Sequence, residues 1–146
     1  MDFEIRKFRE EDKNEVISMM ETFYSSDAVS TNGSSEIFNN NFETCLQGSP
    51  YVEGFALVSN NEILGYSMIA KSFSTEFGKQ CIWLEDLYLK SEYRGKGVIP
   101  KVINYIKNLY SSALLRLEVE DYNTHAVHVY EKSGFIKFPY VEMYKH

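Results

Sequence analysis

Hydrophobic and polar positions change their period several times along the chain, and each change marks an element. Residues 3–8 (FEIRKF) alternate as a short strand would. Val16, Met20, Phe23 and Tyr24 then share one helical face with Ile17 beside them, which predicts a helix over about 13–25. Asp12 and Glu15 stand before it at capping-box spacing, with Asp in place of Ser or Thr. The Ser-, Asn- and Gly-rich run SSDAVSTNGSS predicts a loop. A second helix is expected from Ser35 to Leu46, with Ile37, Phe38, Phe42 and Cys45 on its apolar side.

From Gly54 the repeat shortens to two. GFALVS and ILGYSMIA flank the hairpin-type turn Asn60-Asn61-Glu62, and a second turn near STEFGK leads into QCIWLEDLYL. Helical spacing returns after the glycines of YRGKGV, at Val98, Val102 and Ile106 or at Ile99, Ile103 and Tyr110. ALLRLEVE alternates, with Leu115, Leu117 and Val119 on one side. A helix from Thr124 to Lys132 should end at Gly134, and FIKFPYVEMYK offers two short strands around Pro139. The order is strand, two helices, a three-strand meander, helix, strand, helix and terminal strands. It predicts a mixed α/β (α+β) architecture on one sheet. With no repeat, linker or low-complexity segment, residues 1–146 read as one domain.

Composition and charge narrow the function. Hydrophobic residues at 44% and aromatics at 15% describe a globular chain. The net charge of −6 makes a phosphate-backbone binder a poor expectation, so nucleic acid is not the predicted partner. The deficit is local. No Lys or Arg occurs between Lys13 and Lys71, while Glu15, Glu21, Asp27, Glu36, Glu43, Glu53 and Glu62 do. That stretch is either a solvated acidic face or a surface that attracts a cationic substrate. Cys45 and Cys81 have neither metal-ligand nor disulfide spacing, and the charged start MDFEIRKFREEDK is no signal peptide. No apolar run approaches the roughly 20 residues of a membrane span. A cytoplasmic chain without a membrane partner is the expectation.

The strongest local signal is Tyr93-Arg94-Gly95-Lys96-Gly97-Val98, between a strand ending at Leu89 and a helix. Two glycines there let backbone N–H groups converge at a helix N-terminus, a setting suited to a pyrophosphate. Lys90, Arg94, Lys96 and Lys101 surround it with positive charge. The plain alternative is a tight turn with solvating lysines. A Walker loop is absent, and a dinucleotide fingerprint fails because Pro100 occupies its third glycine position.

These residues carry a resemblance. Arg94-Gly95-Lys96-Gly97-Val98-Ile99 matches, in all but the last place, the Arg/Gln-x-x-Gly-x-Gly/Ala motif of the GNAT superfamily of acetyl-CoA-dependent N-acetyltransferases. A second motif of that family, Asn-x-x-Ala-x-x-x-Tyr-x-x-x-Gly-Phe, is complete as Asn123, Ala126, Tyr130, Gly134 and Phe135. The order of elements agrees from residue 3 onward. Ile99 departs from the family's small residue, placing a branched side chain where the helix start packs closely on the ligand, and Pro100 contributes no N–H.

The resemblance implies a GNAT-type acyl-CoA N-acyltransferase fold, with a single, mostly antiparallel central sheet flanked by helices, and acetyl-CoA as co-substrate. It implies that Leu87, Tyr88 and Leu89 bond the pantetheine arm through their backbone. It implies that Arg94, Gly95, Lys96, Gly97, Val98 and Ile99 hold the pyrophosphate. Asn123 and Ala126 would then lie beside the cofactor, and Tyr130 near its sulfur. A Leu-Glu-Asp string at 84–86 resembles that of spermidine/spermine-type members. Glu85 is thereby the expected base, with Asp86 the second choice, and Tyr130 the expected acid. Glu85 as a lysine-paired strand charge and Tyr130 as a core tyrosine are the plain alternatives. His125 and His128 lack further ligands, so no metal is expected, and Cys81 reads as a buried small hydrophobe.

The function so implied is transfer of an acetyl group from acetyl-CoA to a primary amine by direct attack in a ternary complex. The acceptor could be a polyamine, another small amine, an amino acid, an aminoglycoside or a protein amine. The acidic first half favours a cationic one. Two rivals stand beside this: a fold-alike that binds CoA or acyl-CoA without transfer, and an enzyme acetylating protein N-termini or lysines. Many members form homodimers, so a homodimer is compatible with the resemblance, while the residues themselves do not give an oligomeric state.

Overall fold

The computed structural model describes residues 1–146. Strand β1 (Glu4–Lys7) leads through a 3-10 turn at Glu10–Asp12 into helices α1 (Lys13–Tyr24) and α2 (Ser35–Gln47). Strands β2 (Val52–Ser59), β3 (Glu62–Ser74) and β4 (Lys79–Leu89) form the meander. Another 3-10 turn, Ser91–Tyr93, precedes α3 (Val98–Leu109), and β5 (Leu114–Leu117) and α4 (Thr124–Lys132) follow.

The five strands lie in sequence order in one sheet. The first four are antiparallel neighbours, and β4 and β5 are parallel. Parallel neighbours need a crossover, and α3 supplies it. The two-residue β2–β3 turn has Asn60 at φ 50° and Asn61 at φ 63°, the left-handed pair that closes a twisted hairpin.

The sheet separates two cores. Leu57, Leu64, Ile69, Ile82 and Leu84 pack with Val102, Ile103 and Ile106 of α3, and Tyr130 and Phe135 join from the α4 side. On the other face Ala56, Tyr66 and Met68 meet Val16, Met19 and Met20 of α1 and Phe38 and Phe42 of α2. Phe8 stacks on Phe42 with ring centroids 5.0 Å apart.

Two sequence expectations fail here. Asp12 does not cap α1 with its side chain. It is buried, and its carboxylate accepts two bonds from the Arg6 guanidinium at 2.7 and 3.0 Å and one from the Arg9 N–H at 2.7 Å. A bidentate Arg partner outcompetes an exposed helix end for this carboxylate. The tail also forms no strand at all from residue 135 onward. Pro139 offers no N–H to a ladder, and side chains hold the segment instead. Phe138 lies beside Phe77 and under the Arg116 guanidinium, and the Tyr140 hydroxyl donates to Glu76 at 2.6 Å.

Candidate active site

The site begins with an irregularity in β4. Met68 pairs with Asp86, but the next residue, Ile69, pairs with Leu84, so Glu85 is the unmatched residue of a β-bulge. The bulge changes which residues face which core. Before it Ile82 and Leu84 enter the α3 core; after it Leu87 and Leu89 do, while Tyr88 joins the α1–α2 core. Plain alternation would have put Asp86 on the same face as Leu84. The bulge sends Asp86 toward Tyr24 and Tyr66 instead.

The bulge also ends the β4–β5 pairing. The last parallel pair is Leu84 with Leu117. Beyond it, Asp86–Leu89 pair with β3 on one edge only, so the other edge of this stretch carries free backbone groups facing a gap. The expected strand over 113–120 is therefore shorter than its sequence pattern. Its last residues, Glu118 onward, part from β4 at the level of Glu85.

Asp86 and Glu85 fare differently. Asp86 is 2% exposed, and it accepts the Tyr66 hydroxyl at 2.7 Å and the Tyr24 hydroxyl at 2.9 Å. Burial raises its proton affinity, and the two phenols pull it back. Each oxygen thus holds one phenol, and the carboxyl is shut away from solvent. Glu85 keeps surface open to solvent, yet enough protein crowds its carboxyl for desolvation to lead its upward shift, followed by the charges of Asp86 and Glu142. Glu118 is pushed up to about 7, by a hydrogen bond with Glu142 first, then by burial and by the Glu142 and Glu85 charges. Three carboxyl groups from three segments thus converge where β4 and β5 part. The sequence pattern points to neither Glu118 nor Glu142. Extending the alternation of ALLRLEVE against LED would reach Glu118, but only a known parallel register places the two strings side by side.

At the end of β4 the chain turns through Gly95 and Gly97, both at φ 75°, where an L side chain is strained. Gly97 is the N-cap of α3 and no side chain caps that helix, so its first amides are open. Their alignment with the helix dipole makes an anion cradle. Ile99 packs against the α3 core. The charge around the turn is thinner than the sequence suggests. Lys90 pairs with Glu15, and Lys101 donates to the Met1 carbonyl at 2.9 Å and lies over Phe3. Arg94 remains, its Nε donating to the Leu89 carbonyl at 3.0 Å with its guanidinium 5.7 Å from the Tyr88 ring, and so does the exposed Lys96.

On the far side of the gap, Asn123 is the N-cap of α4, and its side-chain oxygen accepts from Ala126 N–H at 3.3 Å. Tyr130 lies seven residues on, half-buried, edge-on to Phe135, with its phenol's proton affinity raised by burial. The left-handed Gly134, at φ 98°, lets the chain reverse so that Phe135 N–H returns to the Tyr130 carbonyl at 3.1 Å. The loop after α1 reaches across to the same region: Tyr122 donates to the Asp27 carbonyl at 2.7 Å, and Ser30 to Glu120. Cys81 is buried and Cys45 half-buried, the latter pushed up to about 11 by burial. No helix is long and apolar enough to cross a membrane.

Known proteins resemble this chain in sequence and in fold. The chain is 37% identical over 75 residues to the thialysine N-epsilon-acetyltransferase of Bos taurus, a match covering 49% of this chain and 44% of that one. It is 24% identical over 102 residues to the spermine/spermidine N(1)-acetyltransferase of Bacillus subtilis, covering 64% of this chain and 67% of that one. The chain thus spans less than half the length of the cattle relative. Among solved structures, an aminoglycoside acetyltransferase, AAC(6')-Iy, in complex with a bisubstrate analogue superposes with a TM-score of 0.82 at 13% identity, covering 100% of this chain and 99% of that one. A possible acetyltransferase from Clostridium difficile 630 gives 0.80 at 21%, covering 99% and 96%. At those identities the likeness speaks for the fold. The model of the acetyltransferase (GNAT) family matches residues 14–135, a span that runs from α1 through the glycine turn and the parted strands to Phe135. With a bulged β4, an open helix start after two left-handed glycines and that match over most of its length, the chain belongs to the GNAT acetyltransferase family.

Proposed function

We propose that this protein is an N-acetyltransferase that moves the acetyl group of acetyl-CoA to a primary amine of a small cationic acceptor, by direct attack in a ternary complex. The observation that carries the reading is the free edge of β4 at Glu85–Leu89, opening directly onto the uncapped start of α3. The named relatives supply the acceptor chemistry: thialysine, spermine and spermidine all bear primary amines.

The chain's residues fit acetyl-CoA by the chemistry of their donors. Amides from Gly95 to Ile99, with Arg94 and Lys96, would hold the pyrophosphate, and the backbone of Leu87, Tyr88 and Leu89 would pair with the amide-bearing arm. Asn123 would steady that arm from the start of α4, beside Ala126. When bound, acetyl-CoA supplies an activated carbonyl and a thiol leaving group.

The amine must be neutral to attack, although an alkyl amine holds its proton up to a pKa of about 10.4. Glu85 takes that proton. Its own affinity is raised, which brings donor and acceptor closer in strength. The backbone N–H near Leu87 meets the negative charge growing on the carbonyl oxygen. Tyr130 returns a proton to the departing sulfur, a transfer between groups of similar basicity.

The test is thiol release from acetyl-CoA across a panel of polyamines, small amines, amino acids and aminoglycosides. Release above the hydrolysis background with at least one small cationic amine supports the reading, and binding of acetyl-CoA without release for any amine removes it. Glu85→Gln should move the pH–rate profile toward higher pH, where the amine deprotonates unaided. An unmoved profile takes Glu85 out of the role.

A further inference from the structure

The sheet has two edges, and the candidate active site lies toward only one of them, where β4 parts from β5. Strand β1 forms the opposite edge, with no strand beyond it. Its register on β2 fixes what that edge offers. Phe8 N–H donates to the Gly54 carbonyl at 3.1 Å, continuing the pairing of Glu4 with Val58 and of Lys7 with Phe55. Backbone groups of an antiparallel strand turn to alternate sides, so Arg6 and Glu4 bond inward as Phe8 does. Ile5 and Lys7, with Phe3 before them, present their N–H and C=O groups outward. The Lys7 carbonyl takes a bond from the Arg6 guanidinium at 3.1 Å and keeps a second lone pair.

Side chains alternate as well. Phe3 and Ile5 pack against the α3 core and Phe8 joins the α1–α2 core, so the odd-numbered residues of β1 point to the α3 side. A groove of about 350 Å³ runs there between β1 and α3, with Phe3, Ile5, Asn104 and Asn108 in its walls. A strand added at this edge would cover it.

The charges of β1 favour one occupant, a second copy of the same strand. A two-fold axis normal to the sheet sets two β1 strands antiparallel and keeps both α3 sides together, so odd residues must face odd ones. A one-residue slip would put side chains on the wrong face. With Ile5 opposite the partner's Ile5 on the axis, Glu4 faces the partner's Arg6 and Phe3 faces the partner's Lys7. The outward N–H and C=O groups of Phe3, Ile5 and Lys7 are then all bonded. Sliding by two residues sets Glu4 against the partner's Glu4 in one direction, or Arg6 against the partner's Arg6 in the other. Like charges directly opposite destabilise a ladder, whereas unlike ones support it. Arg6 is held by Asp12, so its position is set before a partner arrives.

We propose that β1 pairs with the β1 of a second copy in this register, joining the two sheets into one. Charges on a short edge strand normally discourage pairing, and here they are matched in the self-pairing register. The interface lies at the edge away from β4 and β5, so the proposal does not depend on the acetyltransferase reading.

A ladder this short belongs with small, weak interfaces, so sedimentation velocity from about 1 to 100 µM should show the chain of 17.0 kDa passing from monomer to dimer. Lys7→Pro removes an outward N–H that β2 does not use, and edge strands tolerate proline at such positions. It should keep the melting temperature and lose the dimer. Glu4→Arg, at an exposed position, sets like charges opposite each other on both sides of the axis and should weaken the dimer about tenfold. Ile5→Cys should give a disulfide-linked dimer on mild oxidation, because directly opposed, hydrogen-bonded residues have Cα atoms about 5.5 Å apart. Lys7→Cys should not, since its two copies stand four residues out of step, about 13 Å along the strands. A chain that stays monomeric throughout leaves this edge to some other strand and overturns the proposal. So does a dimer that Glu4→Arg, or a folded Lys7→Pro, leaves intact. Cross-linking of Lys7→Cys as readily as of Ile5→Cys overturns the register.

Discussion

The two faces of the sheet are built differently. The α3 face is a core of twelve buried residues, all apolar, and the glycine turn that would cradle a pyrophosphate rests on it. The α1–α2 face has nine, and beneath its helices lie two buried carboxylates, Asp12 and Asp86, each held by named polar partners. Apolar packing is dense and non-directional, so it fixes a backbone firmly without marking any one side chain. Buried hydrogen bonds are directional, so they fix individual groups. The face assigned to the shared co-substrate is thus held by packing, and the α1–α2 face is held by pins that a few substitutions could re-aim.

The largest expected effect falls on the α3 face, at Tyr130. Tyr130→Phe should lower kcat by about 10²–10⁴-fold, the usual worth of a general acid, while calorimetric affinity for acetyl-CoA stays the same. An unchanged kcat would move the acid elsewhere.

Next come the cores. Ile106→Ala, at a fully buried site on the α3 face, should cost about 2–5 kcal/mol in urea unfolding through lost contacts and a residual cavity. Tyr66→Phe keeps the volume of the other core and removes one donor to Asp86, for a loss of about 1–3 kcal/mol. If Tyr66→Phe matched Ile106→Ala with no change in acceptor kinetics, the contrast between packed and pinned faces would collapse.

The smallest effect is a matter of pH. Glu118 is raised from an ordinary 4.5 to about 7, so the folded chain holds this proton longer than the unfolded chain does. Its contribution to stability is present below 4.5 and is lost as pH climbs through about 7. Glu118→Gln should therefore raise the melting temperature above pH 7 and leave it nearly unchanged near pH 4. A cationic acceptor should do the same for the wild type at pH 7. Equal melting curves for wild type and variant at both pH values would show that the three carboxyls do not interact.

Much of the fold is legible in the amino-acid sequence. Val16 and Met20, or Val102 and Ile106, announce their helices because burial imposes a 3.6-residue period on side chains close in sequence. The glycines of YRGKGV announce a helix start and Gly134 a helix end because a left-handed turn is decided within a few residues. The spacing between the glycine turn and the Asn123–Phe135 motif is equally plain in the chain. What stays hidden depends on distant partners. Asp12 reads as a cap until Arg6 reaches it. Lys90 and Lys101 read as free positive charge around the glycine turn until Glu15 and the Met1 carbonyl claim them. FIKFPYVEMYK has the alternation of strands, but the pattern cannot say whether an edge is there to receive it.

The bulge at Glu85 is the sharpest case. Leu84, Glu85 and Asp86 stand out in the sequence as a chemical string, and alternation assigns the two carboxyls to opposite faces. Asp86, however, lands on the face opposite to Leu84, which plain alternation does not allow. One unmatched residue shifts the register, drives Asp86 under α1, and frees Glu85 where β4 and β5 separate.

The sequence alone determined the helices, the strands of the sheet and their order, the glycine turns, and the family those motifs announce, because each is fixed by interactions spanning one or two turns of chain. Only the tertiary structure decided which carboxyl is free, which is pinned, and which cations are already paired. Those outcomes depend on contacts between residues tens of positions apart, such as Tyr24 with Asp86, where desolvation and partner geometry, rather than residue type, set the chemistry.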